Sequence, residues 1–491
     1  MEGSQHRATR VGSRRVVTDI VAQIGGQVVN IALGVITTVV IVRALGADHY
    51  GQWATILAVI DLIATFGNFG LENVAIRFAT QEPEREGAWV GATTSLRLAI
   101  AVPMIAAFVA AIAVLASEGE MLITGLLLSL LYLTGAISTL RVVFRLHVRN
   151  HITVAFTTLT SVLWAGSVIA IAALDGGMVA FAIAFLAVSI VVNLALAAIA
   201  LRTIPVQWRG ARKMWGKLLR IGVPVGIAGT LTFTYGRIDQ ILVYEYASNA
   251  ADVGIYAAMY KILDNAGFVP MSVMVTLFPV MAGLFPSDPA RLRRMMQIAI
   301  DYLMIVALGG LALTIVAAEP IVELLYGPDY VAGATVLTIL VAAFIPICIG
   351  NVAGNMVIAM NLQRRYIWFA ALGLGLNVPL NIVLIPEYGI EAAAWITLLT
   401  EIVVVGLSTV MVLRKIELRL SLRRIGLALL ASALAALAIW GLRELGGGAI
   451  VLVLAMTALY PALLIALRAL DLEELRRLLR DRRTVEEGAG T

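Results

Sequence analysis

TVAFTTLTSVLWAGSVIAIAALDGGMVAFAIAFLAVSIVVNLALAAIALR, residues 153–202, decides the fold class. Its one charged side chain before Arg202 is Asp175, in the turn LDGG. The runs on either side, 153–174 and 178–204, are each long enough to cross a hydrocarbon layer of about 30 Å at about 1.5 Å per helical residue. Basic residues follow at once in PVQWRGARKMWGKLLR (205–220). Two apolar runs with an acidic turn on one side and a basic flank on the other read as a pair of membrane helices.

The rest of the chain repeats this pattern. Of 491 residues, 60% are hydrophobic and 14% charged, and the mean hydropathy is +0.94. Soluble domains carry about 25% charge, so lipid is the solvent for most of this chain. Fourteen apolar segments stand out: 19–43, 51–78, 89–115, 121–146, 153–174, 178–204, 219–245, 251–284, 296–318, 331–358, 365–386, 389–413, 424–442 and 448–468. The expected fold class is all-α integral membrane protein. An even number of spans puts both termini on one side. Of the 36 basic residues, all but Arg43, Arg77, Arg97, Arg237, Lys261 and Arg443 then fall on that side, while the opposite loops hold Glu118, Glu120, Asp175, Asp252, Glu319, Asp329 and Glu387. The positive-inside bias makes the basic side cytoplasmic, so the chain is expected in the cytoplasmic membrane, multi-pass, with both termini inside. The same distribution explains the net charge of +5 without any nucleic-acid partner.

The expected organisation is a cytoplasmic tail (1–18), an N-lobe of six spans (19–204), an interfacial linker helix (205–218), a C-lobe of six spans (219–413), two further spans (414–468) and a cytoplasmic tail (469–491). The apolar stretch after the first tail is too long for a signal-peptide core and reads as a retained span. Trp208 and Trp215 among four bases suit the linker to a membrane interface. Residues 470–484 read as a second surface helix or a charged tail. A weak repeat relates 24–54 to 221–258, each a span, an outer loop and a glycine close to an aromatic. Both copies start on the same side, so the lobes are expected to be parallel repeats about an axis along the membrane normal, with a central cleft.

Charges within spans are costly, about 2.5–3.5 kcal/mol on insertion scales, and normally face a cavity or a partner. Arg97 lies about eight residues from the inner end of its span, with no acid in that span, which favours a cavity position. Arg237 falls in the outer half of its span; Lys261 and Asp264 lie near mid-depth, three positions apart, where pairing competes with a cavity role. Arg141 and Arg145 sit at the inner end of the fourth span, and Arg77 at that of the second, where Glu72, five positions away, faces elsewhere. Cations at successive depths suit a polyanion such as a lipid pyrophosphate, since arginine grips phosphate in bidentate fashion and stays ionised. Arg77, Arg97, Arg141, Arg145, Arg237 and Lys261 are therefore the candidate substrate-binding residues. Asp61, Asp239, Asp264 and Glu401 are the candidates for coupling to Na+ or H+; each has a bland alternative as a polar helix–helix contact.

Other chemistry finds little support. Cys348 is the one cysteine, and His6, His49, His147 and His151 have no metal-ligand spacing, although His147 and His151 are four apart. The pattern GxxxxGK[ST] is missing, so ATP hydrolysis by this chain is not expected. The outer loops are short, which leaves no soluble domain for catalysis. No cofactor and no metal are expected, and the chain reads as a transporter rather than an enzyme.

Four blocks carry a resemblance: RALGADHYGQWATILAVIDLIATFGNFGLENVAIRFAT (43–80), RIDQILVYEYASNAADVGIYAAMYKILD (237–264), ELLYGPDYVAGATVLTIL (323–340) and NVPLNIVLIPEYGIEAAAWITLLTE (377–401). In this order they resemble the polysaccharide-exporter family, the Wzx-like O-unit flippases of the multidrug/oligosaccharidyl-lipid/polysaccharide flippase superfamily. The resemblance implies two six-helix lobes in a V-shaped arrangement like that of the multidrug-and-toxin exporters (MATE), plus two C-terminal helices. It implies alternating access and a substrate of undecaprenyl-pyrophosphate-linked oligosaccharide. Membrane lipids surround such a protein, and its partners would be polysaccharide polymerase and glycosyltransferase machinery. Arg43, Arg77, Arg237, Asp239, Lys261, Asp264 and Glu401 fall within the matching blocks. A lipid II flippase and a cation-coupled multidrug exporter share the fold and stand as alternatives.

Overall fold

The structure, a computed structural model, describes residues 13–116, 119–147, 149–285, 287–418 and 420–470. Ten helical stretches among them are long and apolar enough to cross a membrane. Two of these are too long for one crossing. Helix α1 (Ser13–Asn68) is interrupted at Gly46 (φ 69, ψ 174), and the helix Gln363–Ile416 at Gly389 (φ 64, ψ −153). Fifty-odd residues of straight helix would run about 80 Å, more than twice the hydrocarbon thickness. Left-handed backbone costs glycine nothing, so each glycine divides its helix into two spans. Helix pairs broken at Gly236–Arg237 and at Gly267 supply two more crossings, and fourteen segments are recovered.

Contacts group the chain into two compact units. The first holds the described residues up to Leu45 together with Ile56–Thr230. After α1 come α2 (Leu71–Gln81), α3 (Glu86–Leu115), α4 (Glu120–Ser129), α5 (Leu131–Ile137), α6 (Val142–Leu146), α7 (Asn150–Ala173), α8 (Met178–Thr203) and α9 (Trp215–Tyr235), whose last turn passes into the second unit. The second expected span, 51–78, is broken: Phe69 (φ 38) and Gly70 (φ 62) turn the chain between α1 and α2. The fourth, 121–146, is broken twice, by a step at Leu130 and by a 3-10 turn at Ser138–Arg141. There Ser138 Oγ bonds the carbonyl of Gly135, a local bond that competes with the helix ladder.

Residues 205–218 differ most from the sequence reading. They form no single interfacial helix. Ile204 is extended, residues 205–208 have no regular structure, Gly210 (φ 79) turns the chain, Ala211–Met214 is a 3-10 turn, and Trp215 already opens α9. The cause lies in α3. Gly87 and Gly91 leave room for the backbone of Pro205 and Gln207, where any Cβ would collide with carbonyl oxygens. Gln207 N donates to Gly87 O (3.0 Å). Farther along, Trp215 Nε1 donates to Ser95 Oγ (3.2 Å). Lys217 lies 4.2 Å above the Phe78 ring and 3.5 Å from Glu82, while Phe78 and Trp89 stack at 4.5 Å. The linker is thus strapped along α2 and α3, with Trp208 left exposed. The expected tails and the 470–484 helix lie outside the described residues, apart from Ser13–Thr18, which opens α1, and Ala469–Leu470.

The second unit holds Gly46–Thr55 and the chain from Leu231. Its helices are α10 (Ile238–Tyr246), α11 (Ala250–Ala266), α12 (Phe268–Leu284), α13 (Pro289–Tyr326), α14 (Ala334–Ala359), α15 (Gln363–Ile416), α16 (Arg423–Glu444) and α17 (Ala449–Ala466). Helices α16 and α17 are fixed on α13: Tyr460 OH donates to Ile305 O (2.8 Å) with its ring over Gly309, and Arg443 bonds Val316 O and pairs with Glu319. The glycines of the internal repeat meet. A Cβ on Gly51 would come within 2.8 Å of Gly254 N, and one on Gly254 would collide with the carbonyl of Ala47. Each glycine precedes its repeat's buried aromatic by two residues, Trp53 and Tyr256.

Large apolar side chains such as Val102, Ile183, Val191, Leu194, Val383 and Trp395 are exposed, while Thr93, Thr94, Asn377, Thr397 and Thr400 are buried. That inversion suits hydrocarbon outside the bundle. Gly254→Ala is expected to cost about 1–3 kcal/mol of stability through overpacking against backbone. Gly216→Ala, at an open position in α9, is expected to be neutral or stabilising by up to about 1 kcal/mol. Thermal unfolding in detergent checks both; equal shifts would refute the close packing.

Candidate functional site

The break at Phe69–Gly70 decides where the first unit's charge collects. It starts a new helix whose first turn carries Glu72, largely buried with 10% of its side chain exposed. A carboxylate is favoured at a helix N-terminus by the peptide dipoles, yet it still needs cations inside an apolar bundle. Three arrive from elsewhere. Arg97 Nη1 of α3 donates to Oε1 at 2.9 Å. Arg141, ending the 3-10 turn, binds in two-pronged fashion, Nη2 to Oε1 at 2.7 Å and Nε to Oε2 at 3.2 Å. Arg145, four positions on and so on the same face, places Nη1 3.7 Å from Oε2 and donates Nη2 to Asn73 Oδ1 at 3.4 Å.

Three guanidinium ions share one carboxylate, an excess of two positive charges. Two like charges about 5 Å apart at an effective dielectric near 20 repel by about 3 kcal/mol, a repulsion that the shared carboxylate offsets. Exposure grades across the cluster: 17% for the Arg97 side chain, 40% for Arg141 and 42% for Arg145. The cluster is therefore more buried at Arg97 and more exposed at Arg141 and Arg145. An anion entering there meets donors arranged for phosphate or carboxylate oxygens.

The second unit gathers its charges differently. Asp239, fully buried at the start of α10, accepts from Tyr256 OH (2.5 Å), Thr397 Oγ1 (3.1 Å) and Gln240 N (3.0 Å). It joins α10, α11 and α15 through neutral donors. Arg237, just before α10, pairs with Asp264 at 2.9 Å and lies 5.7 Å from the rings of both Phe233 and Tyr260. Asp264 thus meets Arg237 across two helices, and Lys261, three residues before it, is exposed. Glu401, half-buried on α15, lies near Tyr235.

Of the residues picked from sequence, Arg97, Arg141 and Arg145 come together, and Arg237 joins Asp264. Arg77 and Asp61 are exposed on α2 and α1, away from this cluster's contacts. Arg97 lacks an acid in its own span but not in space. Glu72, at the centre of the first cluster, is not among the picked residues. Its signal was a carboxylate in an apolar span whose sequence neighbour Arg77 faces elsewhere, together with three arginines lacking local acids. Tyr256 and Thr397 carry no signal of this kind, because buried hydroxyls are common in membrane helices.

Helices of this number and apolarity, with several of their ionic groups paired inward, define a multi-pass α-helical membrane protein. The solved structure of the lipid II flippase MurJ in an inward closed conformation is similar with TM-score 0.76 at 13% identity, covering 91% of this chain and 99% of that one. A multidrug resistance MATE family transporter of the MOP superfamily, inward-facing, is similar with TM-score 0.67 at 15% identity, covering 79% and 94%. Likeness at these identities shows a shared fold. Residues 16–285 match the family described as Polysaccharide biosynthesis protein, more than half of the chain, and the protein belongs to that family. The probable flippase AglR of Haloferax volcanii is 25% identical over 171 residues, 34% of this chain; the match spans 36% of AglR, about a third of its length.

The Asp239 network gives a graded expectation. Asp239→Ala strands the buried Tyr256 hydroxyl, while Thr397 Oγ1 and Gln240 N keep the carbonyls of Ala393 and Arg237, and is expected to cost about 2–3 kcal/mol; Tyr256→Phe leaves Asp239 with its other two donors and should cost about 1 kcal/mol. Unfolding midpoints of the purified variants check the order, and a Tyr256→Phe loss as large as that of Asp239→Ala would contradict it.

Proposed function

We propose that this protein is a flippase, a transporter without covalent chemistry, that moves undecaprenyl-pyrophosphate-linked oligosaccharide across the cytoplasmic membrane by alternating access. The observation that carries this reading is the convergence of Arg97, Arg141 and Arg145 on the single carboxylate of Glu72. A pyrophosphate is the costliest part of such a lipid to bring out of water. Guanidinium ions hold it by paired, charge-assisted hydrogen bonds and remain ionised throughout. The polyprenyl tail stays in the bilayer while headgroup and glycan pass through the protein. The family description supports the reading, as does the name of AglR.

Both termini lie on the cytoplasmic side in this proposal, where glycosyltransferases supply the substrate; the polymerase receives it on the other face. Asp61, Asp239, Asp264 and Glu401 are the carboxylates through which an Na+ or H+ gradient would drive the cycle. The likeness to MurJ over 91% of the chain favours a second reading, lipid II as substrate. The two substrates share the pyrophosphate and differ in the glycan.

Purified protein in vesicles is offered a fluorescent undecaprenyl-pyrophosphate oligosaccharide, and dithionite quenching reports translocation. Wild type is expected to move it. Arg97→Gln and Arg141→Gln are expected to slow it at least about tenfold, the equivalent of one lost charge-assisted hydrogen bond, with unfolding midpoints tracked alongside. Preference for fluorescent lipid II in competition would select the second reading. Movement of organic cations and of neither lipid would refute both.

A further inference from the structure

We infer that Glu72 is a resident stand-in for the substrate's anion: its carboxylate occupies the place that pyrophosphate takes, and binding exchanges the three arginines from Glu72 to the substrate. The inference rests on the flippase reading above and adds a role for a residue inside that site.

The bonding pattern argues for exchange. Both oxygens of Glu72 are engaged: Oε1 by Arg97 and Arg141, Oε2 by Arg141 and, at longer range, Arg145. Each guanidinium offers five N–H donors, and the bonds to Glu72 and Asn73 use a minority of the set. A pyrophosphate, with more oxygens and more charge than a carboxylate, matches that surplus and the two uncancelled positive charges. The cluster therefore binds Glu72 in a receptor larger than a carboxylate needs.

Position argues the same way. Arg141 and Arg145 are the more exposed cations, so an incoming anion reaches them first and displaces Glu72 toward its own helix. Glu72 lies in the first turn of α2, just after the turn at Phe69–Gly70. A carboxylate released from the arginines still faces the positive end of that helix. Without a stand-in, an empty site would hold three cations in mutual repulsion. With one, the site stays assembled between cycles, and the returning carboxylate competes with the product and speeds its release.

A purely structural Glu72 predicts the opposite response to removal. If Glu72 only orients the arginines, Glu72→Gln loosens them and weakens anion binding. If Glu72 is a stand-in, Glu72→Gln removes the competitor. Binding of inorganic pyrophosphate to the purified full-length protein in nanodiscs, by titration calorimetry, separates the two. The stand-in predicts binding at least about tenfold tighter in Glu72→Gln than in wild type, weaker binding in Arg141→Gln, and slower lipid translocation by Glu72→Gln despite the tighter binding. A second measurement needs no variant. In wild type, pyrophosphate should raise modification of Glu72 by a hydrophobic carbodiimide, read by peptide mass mapping. Unchanged or weaker binding in Glu72→Gln, or unchanged modification of wild type, overturns the stand-in. So does wild type that flips lipid but binds no pyrophosphate, which leaves the flippase reading intact; wild type that does neither overturns both.

Discussion

Hydrocarbon offers no hydrogen bonds, and nearly every feature of this chain answers to that lack. In water an unpaired threonine or glutamate costs little. Here each must find its partner within the protein. Many of the small polar residues solve the problem locally. Thr93, Thr94, Thr397 and Thr400 each bond the carbonyl four residues back, on Trp89, Val90, Ala393 and Ile396. Ionic residues have no such local solution, and they draw distant helices together.

The two units solve the ionic problem in different ways. In the first, one carboxylate serves three guanidinium ions and leaves net positive charge on partly exposed side chains. In the second, Asp239 is satisfied by two hydroxyls and a backbone N–H, and Arg237 pairs with Asp264 near two aromatic rings. Charge left in surplus invites a ligand, whereas charge balanced in place holds helices together. On the proposed reading, anion handling falls to the first unit. It also explains why a list of membrane arginines drawn from sequence mixes two kinds of residue.

The helices were legible because hydrophobic length and basic flanks are written directly in the chain. Gly46 and Gly389 also read correctly as span boundaries, since loops with Gly, Asp or Pro interrupt the apolar runs there. The turn at Phe69–Gly70 was hidden because FGNFG lies within an otherwise apolar segment. The linker misled for a physical reason: tryptophans among bases suit a surface helix equally well as an extended strap. Only the glycines of α3, more than a hundred residues earlier, decide between them. Candidate site residues were legible as types and depths but not as partners. Arg97 finds its acid 25 positions away and Arg141 finds the same one 69 positions away, separations that no local pattern encodes.

The Gly51–Gly254 contact has a consequence in time. About 200 residues separate these glycines, so at about 5–20 residues per second the first waits roughly 10–40 seconds for the second to be synthesised. During that interval the decapeptide Gly46–Thr55 sits at a membrane boundary with its packing groove empty. Its ability to wait depends on being self-sufficient: it is helical beyond Gly46, and Thr55 bonds the carbonyl of Gly51. The first unit can fold while the chain is still being made, but the second is completed by a piece laid down at the start. An early-finished half thus holds in reserve a part that only the late half can use.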